Sequence, residues 1–485
     1  MDNKRMKIGL VHTTNPSIGE KTTYGDQEVD MVDVHFEKIS ENIKWSDLFP
    51  QWIDESLPWD SLDCPEIPMP SFEEYRDLDL VVANVPCGGG KHSKTFEDVL
   101  RLQVNLVVAN LLVRSVRKKN GQVFVVFIGS CGPLLEIFRC DDLLWHEENY
   151  WIYKPDLKRL QQKVLMPVGS CQLAPPFLKP DVSTASHKPK EAYVSVIHSS
   201  EDYVCGAITL AQSIIKSNTT RDLILLVDDF ISKKSLENLK SAGWKIKHIQ
   251  RIHSPYAQKG TYNEWNYSKL RIWQLVEYDK LIFIDSDFII LRNTDGFFAY
   301  PQLSASGNSR HVFNSGFMLI EPSTCTFEML MKQRYRVVSY NGGDQGFLNE
   351  MFMWWHRLPT KLNFLKDFIA ILDGKRDIPD DAYALHYLGL KPWMCYKDYD
   401  CNWDVLENQR FGSDSAHGIW WRIYDEMPAE LRSHCELSPQ MEANVRMYRE
   451  MARNGSYPDG HWKIKITDSR SHFSHYLTNT YFPYE

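Results

Sequence analysis

Asp279-Lys280-Leu281-Ile282-Phe283-Ile284-Asp285-Ser286-Asp287 is the stretch on which the reading of this chain turns. Four consecutive apolar residues, three of them branched or aromatic β-formers, read as a strand buried on both faces. The run stops at two carboxylates one residue apart. Side chains two apart in an extended chain share a face, so Asp285 and Asp287 can reach one cation together. The carboxyl end of a strand is also where open α/β sheets bind ligands. A hard divalent ion held there keeps positions open for phosphate oxygens. The same residues also read as a strand cap and a solvated turn, so the pair requires partners elsewhere in the chain.

Upstream, strand and helix patterns alternate. Strands are expected at 193–197, 222–227 and 244–249, and helices over 203–216, 233–242 and 265–276. The first helix carries Ala207, Leu210, Ala211 and Ile214 at helical spacing. Strands alternating with crossover helices mean a doubly wound, mostly parallel sheet. Downstream, a strand is expected at 316–320 and helices over 325–336, 345–356 and 439–453. Residues 1–172 carry α/β signals of their own, with strands at 80–85 and 123–128 flanking a packed helix over 99–117. Within this unit Gly88-Gly89-Gly90-Lys91 lacks the spacing of a phosphate loop and is followed by His92. Pro175, Pro176, Pro180 and Pro189 mark an extended linker over 173–190. The expected organisation is therefore an amino-terminal α/β unit (1–172), the linker, a catalytic domain (191–395) and an aromatic carboxyl-terminal segment (396–485) packed on it.

A chain of 485 residues exceeds what one core supports, which agrees with two domains. A formal charge of -8 argues against a nucleic-acid binder held by phosphate contacts. Ten cysteines without C-x-x-C spacing argue against a structural zinc site. Several can pair in an oxidising compartment, and Cys395 with Cys401 is the closest-spaced candidate. Sequons at Asn218, Asn266 and Asn454 are compatible with secretory passage. No apolar run approaches 18 residues, and the first residues lack a signal-peptide core. The chain reads as cytosolic or as lacking an anchor.

Further polar residues supply the partners that the carboxylate pair requires. His386 follows a short apolar stretch, and an imidazole at a strand end can complete a cation site such as one for Mn2+. Gly389 lets backbone approach a phosphate, and Lys391 places a point charge on it. Asn341-Gly342-Gly343-Asp344-Gln345-Gly346 opens a helix, with Asp344 either its cap or, with Gln345, a partner for sugar hydroxyls. Asn314 and Ser315 precede another strand and can serve the same hydroxyls. Lys269, Arg271, Arg310 and His311 bring positive charge to an acidic protein. Trp393, Trp403, Trp420 and Trp421 suit either stacking on a polysaccharide or core packing.

Asp285-Ser286-Asp287, Asn314-Ser315-Gly316, Gly342-Gly343-Asp344-Gln345-Gly346 and the His386-to-Trp393 segment together resemble the glycogenin-like branch of retaining nucleotide-sugar transferases, glycosyltransferase family 8. The resemblance covers roughly 191 to 395. Val204-Cys205-Gly206-Ala207-Ile208, Tyr262-Asn263-Glu264-Trp265-Asn266, Trp354-Trp355-His356-Arg357 and Trp145-His146-Glu147-Glu148-Asn149-Tyr150 look like the plant GUX branch, which transfers glucuronic acid onto xylan. That extends the resemblance over nearly the whole chain.

The resemblance implies an α/β fold of GT-A type and transfer from UDP-glucuronate to xylan as α-1,2 side groups. It implies Mn2+, with Mg2+ as the alternative ion, on Asp285, Asp287 and His386. Donor contacts are implied for His198, Ser199, Tyr203, Lys269, Ser286, Asn314, Ser315, Gly389 and Lys391. Asp344, Gln345 and Lys269 are the residues implied in catalysis. Asp344 either attacks to form a glycosyl-enzyme, or holds sugar hydroxyls while the acceptor attacks on the leaving-group face. Related acceptors, inositol phosphorylceramide or those of galactinol synthases, and a non-catalytic carbohydrate-binding role are the alternatives. The branch further implies a single-pass Golgi membrane protein with a luminal catalytic part and other wall-synthesis proteins as partners. Such an anchor is missing from this chain.

Overall fold

A computed structural model describes residues 5–13, 22–24, 27–57, 64–87, 95–114, 123–175, 189–308, 311–368, 376–468 and 470. The glycine run at 88–91, most of the linker and Arg310 lie outside the described residues. The chain divides into two compact units that do not follow its order. One comprises Met1–Pro189, Ser254–Lys280 and Ala299–Leu358, and the other Lys190–His253, Leu281–Phe298 and Pro359–Glu485.

The first unit opens with β1 (Met6–Val11), β2 (Thr22–Tyr24), β3 (Gln27–Val34), α1 (Trp45–Leu48), β4 (Leu80–Asn84), α2 (Phe96–Arg114), β5 (Val125–Ile128), β6 (Leu143–Glu147), β7 (Tyr150–Tyr153) and α3 (Leu157–Val164). Its sheet runs β2-β3-β1-β4-β5-β7-β6, parallel at β3-β1-β4-β5 and antiparallel at both edges. α2 is buried on nearly every side, as an apolar helix must be. The three amides on it are satisfied: Gln103 bonds Ile39 and the Glu37 and Pro68 carbonyls, Asn105 accepts from Leu134, and Asn110 donates to the Leu106 carbonyl. Among the described residues no helix is long and apolar enough to cross a membrane.

Further along, the second unit supplies β8 (Glu191–Ile197), α4 (Val204–Lys216), β9 (Asp222–Val227), α5 (Lys233–Ser241), β10 (Lys245–His248), β11 (Lys280–Ile284) and β12 (Phe288–Ile290). The first unit then returns with β13 (Ser304–Gly307), β14 (Phe313–Ile320), α6 (Thr324–Gln333), α7 (Asp344–Met351) and β15 (His356–Leu358). The second unit ends with β16 (Phe364–Leu365), β17 (Ala384–His386), α8 (Asp414–Glu426), α9 (Ala429–Arg432) and α10 (Pro439–Asn454).

In the second unit the strand order is β10-β9-β8-β11, with β8, β9 and β10 parallel. Chain order reverses between β8 and β11, so the loops beyond their carboxyl ends flank a topological switch point. The α/β reading of GT-A type is met, as is the additional amino-terminal α/β unit. A small sheet, β12-β17-β16, was not legible beforehand.

Local details differ from expectation. Residues 262–274 form two runs of 3-10 helix, Tyr262–Trp265 and Tyr267–Gln274, where an α-helix was expected. Helix α7 stops at Met351, and His356 begins a strand. The amino-terminal part is fastened within its own unit to 299–358. Arg139 pairs with Glu321 at 2.8 Å, and the buried Lys163 donates to the Gln302 carbonyl at 2.8 Å. The Cys140–Cys325 disulfide adds a covalent tie.

Three further disulfides join Cys64–Cys171, Cys87–Cys131 and Cys205–Cys435. The closest-spaced candidates, Cys395 and Cys401, are instead buried thiols in a cluster with Tyr396, Tyr399 and Trp403. Burial pushes the Cys401 thiol up, helped by its hydrogen bond to Cys395. Pairing in this fold follows spatial neighbours 44 to 230 residues apart, which spacing along the chain does not reveal.

Candidate active site

Strand β11 ends at Ile284, and the two following carboxylates project beyond it as the period of two requires. β12 then pairs antiparallel with β17, placing Phe288 opposite His386. Their rings stack with centroids 4.1 Å apart. One ligand atom each from Asp285, Asp287 and His386 lies within 4.8 Å of the others. Asp287 divides its oxygens: Oδ1 is 3.4 Å from His386 Nε2, and Oδ2 accepts from Lys391 Nζ at 2.8 Å. Burial pushes the Asp287 carboxyl up, but Lys391 and His386 outweigh it and hold the group well below the usual carboxylate range.

Two carboxylate oxygens and an imidazole nitrogen form a donor set of intermediate hardness, suited to Mn2+ or Mg2+. These three residues fit a divalent cation.

The segment after His386 is held by geometry that demands glycine. Gly389 has φ +73°, and a Cβ there would sit 2.2 Å from Asn402 Oδ1. That oxygen accepts from Leu390 N at 2.8 Å, and Asn402 Nδ2 donates to the Leu390 carbonyl at 2.9 Å. Asn402 thus clamps the backbone next to Lys391. Gly206 on α4 is equally constrained, since a Cβ would meet both the Ser286 carbonyl and the Trp393 ring at 2.6 Å.

Beyond β8, His198 Nδ1 lies 2.8 Å from Ser199 Oγ, and Ser199 N donates to Asp228 Oδ2 at 2.9 Å. Tyr203 caps α4 and packs edge-on against Trp393. Burial pushes its phenol up, and the charges of Asp287 and Asp285 push it further. Two residues here went unread in the sequence. Asp228 follows β9 as Asp285 follows β11, and Arg251 reaches both Ser199 Oγ and Asp228. A carboxylate directly after an apolar strand was the available signal.

The other predicted residues gather in the first unit. Lys269 Nζ is 2.7 Å from Asp344 Oδ2, which also accepts from Ser315 Oγ at 2.8 Å. Gln345 Oε1 accepts from Ser315 N, and Asn314 Oδ1 accepts from Gly316 N. The cap reading of Asp344 is corrected: Gly343 is the N-cap, and Asp344 is the first helical residue. Its carboxylate is drawn to the buried Lys269 ammonium, while Asn341 Oδ1 takes the Gly343 and Gly346 N–H groups.

Arg271 bonds Gln274 and lies over the Phe327 ring at 5.4 Å. His311 is bound to the Phe49 carbonyl. Trp393, Trp403, Trp420 and Trp421 are all buried, so the core-packing alternative holds for these rings and the stacking one does not.

Two stretches of the chain match known family models. Residues 1–171 match the GUX1-5 N-terminal domain, and residues 195–306 match glycosyl transferase family 8. The putative UDP-glucuronate:xylan alpha-glucuronosyltransferase 5 of Arabidopsis thaliana is 49% identical across 97% of this chain and 86% of its own length. UDP-glucuronate:xylan alpha-glucuronosyltransferase 2 of the same plant is 48% identical across 98% of this chain and 82% of its own. Inositol phosphorylceramide glucuronosyltransferase 1, also from Arabidopsis thaliana, is 34% identical but spans 35% of this chain and 32% of its own.

Proposed function

The chain belongs to the UDP-glucuronate:xylan alpha-glucuronosyltransferase family, a branch of glycosyltransferase family 8, and from that premise we propose its reaction: transfer of glucuronic acid from UDP-glucuronate to xylan as α-1,2 side groups, with retention and with Mn2+. The observation that carries this reading is the convergence of Asp285, Asp287, His386 and Lys391 from two distant stretches of sequence. When bound, a divalent cation supplies positive charge to the diphosphate of the donor. Lys391 adds a fixed ammonium where negative charge grows as the sugar–phosphate bond breaks, and preorganised charge of that kind acts most strongly on the transition state. Lys391 Nζ also donates to the Tyr387 carbonyl at 2.5 Å, so its position is set in advance.

Asp344 has its Oδ2 held by the Lys269 ammonium and the Ser315 hydroxyl, which fixes the carboxylate in place. That supports the route in which the acceptor attacks on the leaving-group face and Asp344, with Gln345, holds sugar hydroxyls. His198, Ser199, Tyr203 and Ser286 are proposed for the nucleotide end, and Asn314 and Ser315 for sugar hydroxyls. Four disulfides support residence in an oxidising compartment, and we place the protein in the Golgi lumen.

The test offers UDP-glucuronate, Mn2+ and xylo-oligosaccharides, and weighs the products. One added uronic acid per transfer is the expected mass. Addition only to inositol phosphorylceramide, or none with any acceptor, overturns the reading.

Donor selection gives a second prediction. The glucuronate carboxylate requires a charged or strongly donating partner once buried. Lys269 or Arg271 is proposed for it. Changing both to alanine is expected to cut the preference for UDP-glucuronate over UDP-glucose by about tenfold to a hundredfold, the worth of one charged hydrogen bond. An unchanged preference in competition assays removes both from that role.

A further inference from the structure

Asn363 stands behind the imidazole of His386. It follows the 3-10 turn Thr360–Leu362, directly ahead of β16, and is 3% exposed. Its Oδ1 lies 3.1 Å from Nδ1 of His386. An amide oxygen only accepts, so this contact requires the proton on Nδ1. In a neutral imidazole the lone pair then falls on Nε2, the nitrogen that faces Asp287. A cation shared with Asp285 and Asp287 needs that lone pair. Were the proton on Nε2, the imidazole would donate to Asp287 and the ligand atom would be blocked.

The ring has little freedom to escape this arrangement. Phe288 stacks on it, β17 pairs with β12 on one side and β16 on the other, and Lys366 N bonds the His386 carbonyl at 2.9 Å. Backbone and stacking fix where the imidazole lies. The Asn363 oxygen fixes which nitrogen is available.

We propose that Asn363 is a positioning residue for the cation site, selecting the His386 tautomer whose Nε2 is a ligand. The inference rests on the cation reading above, and its test separates the two. Mn2+ affinity of the full chain is measured without substrate, by the electron paramagnetic resonance signal of free Mn2+. Asn363→Leu, which cannot accept a hydrogen bond, is expected to bind Mn2+ about 10- to 100-fold more weakly than wild type, the usual effect of removing a partner behind a metal ligand. Asn363→Asp keeps an oxygen acceptor and is expected to stay within about threefold. Asn363→Ser, too short to reach Nδ1, carries the same expectation as leucine should the latter not fold. The Mn2+ concentration for half-maximal UDP release should move with affinity, while kcat at saturating Mn2+ moves less. Wild-type affinity in the leucine and serine variants, or an equal loss in the aspartate variant, overturns the role of Asn363. Failure of the wild-type chain to bind Mn2+ overturns the cation reading itself.

Discussion

Asp287→Ala is expected to lose UDP release by at least about a hundredfold, the scale seen when one preorganised electrostatic group is removed from an active site. The substitution does more than delete a candidate ligand. Asp287 is buried, with one oxygen toward His386 and the other on Lys391. Removing it leaves the Lys391 ammonium without its carboxylate in a site 12% exposed at that side chain. The ammonium then turns to other acceptors, and both sources of positive charge for the leaving diphosphate are disturbed together. Asp287→Asn tests the charge alone, because it keeps size and one acceptor oxygen. It should fall nearly as far. UDP release with UDP-glucuronate and saturating Mn2+ is the measurement, with thermal melting to show that the variant folds. Turnover within tenfold of wild type would remove the Asp285–Asp287–His386 group from the chemistry.

What the sequence disclosed, and what it withheld, follows from the range of each interaction. Leu281-Ile282-Phe283-Ile284 reads as a strand because burial on both faces is a local pattern, and Asp285 and Asp287 follow from the period of two. The 3-10 run at Tyr267–Gln274 was not legible in the same way. Tyr267, Ser268, Leu270, Ile272 and Trp273 are all fully buried, a set that neither the 3-10 nor the α repeat singles out, so the stretch reads as helix without disclosing its type.

Other features left no local trace. His386 stands 99 residues after Asp287, so no local pattern joins them; the imidazole suggested a cation site, and the family resemblance assigned it. Asn363 sits in no motif, and its meaning lies in one hydrogen bond. The four disulfides span 44 to 230 residues, so the candidates nearest in sequence were the ones that did not pair. The tryptophans of the carboxyl-terminal segment could be read as a sugar platform or as core, and burial decided for core.

The same segment supplies the largest expected effect on stability. Lys366 Nζ and Asp400 Oδ2 are 2.6 Å apart, and the two side chains are 0% and 1% exposed. Asp400 Oδ2 also accepts from Ser413 N, and its Oδ1 from the backbone and side-chain amides of Asn402. Burial pushes the Asp400 carboxyl up, but the Lys366 ammonium and these donors hold it below its ordinary value. A depressed carboxyl contributes stability above the unfolded pKa of about 3.9, and that contribution fades as pH falls through the folded value. Breaking a buried pair by removing one partner strands the other charge, at a cost of about 3–5 kcal/mol. Lys366→Met and Asp400→Leu should each lower stability by that amount at neutral pH, read from the denaturant midpoint. The double variant should cost clearly less than their sum, because no charge is then left buried without its counter-ion. Asp400→Leu should also show a shallower loss of stability in acid. The consequence reaches the candidate site through backbone: Lys366 N holds the His386 carbonyl, and Asp400 orients the Asn402 amide that clamps Leu390 beside Lys391. Additive costs in the double variant would show that the pair contributes as two independent side chains, and that the scaffold beneath His386 and Lys391 does not depend on their charges meeting.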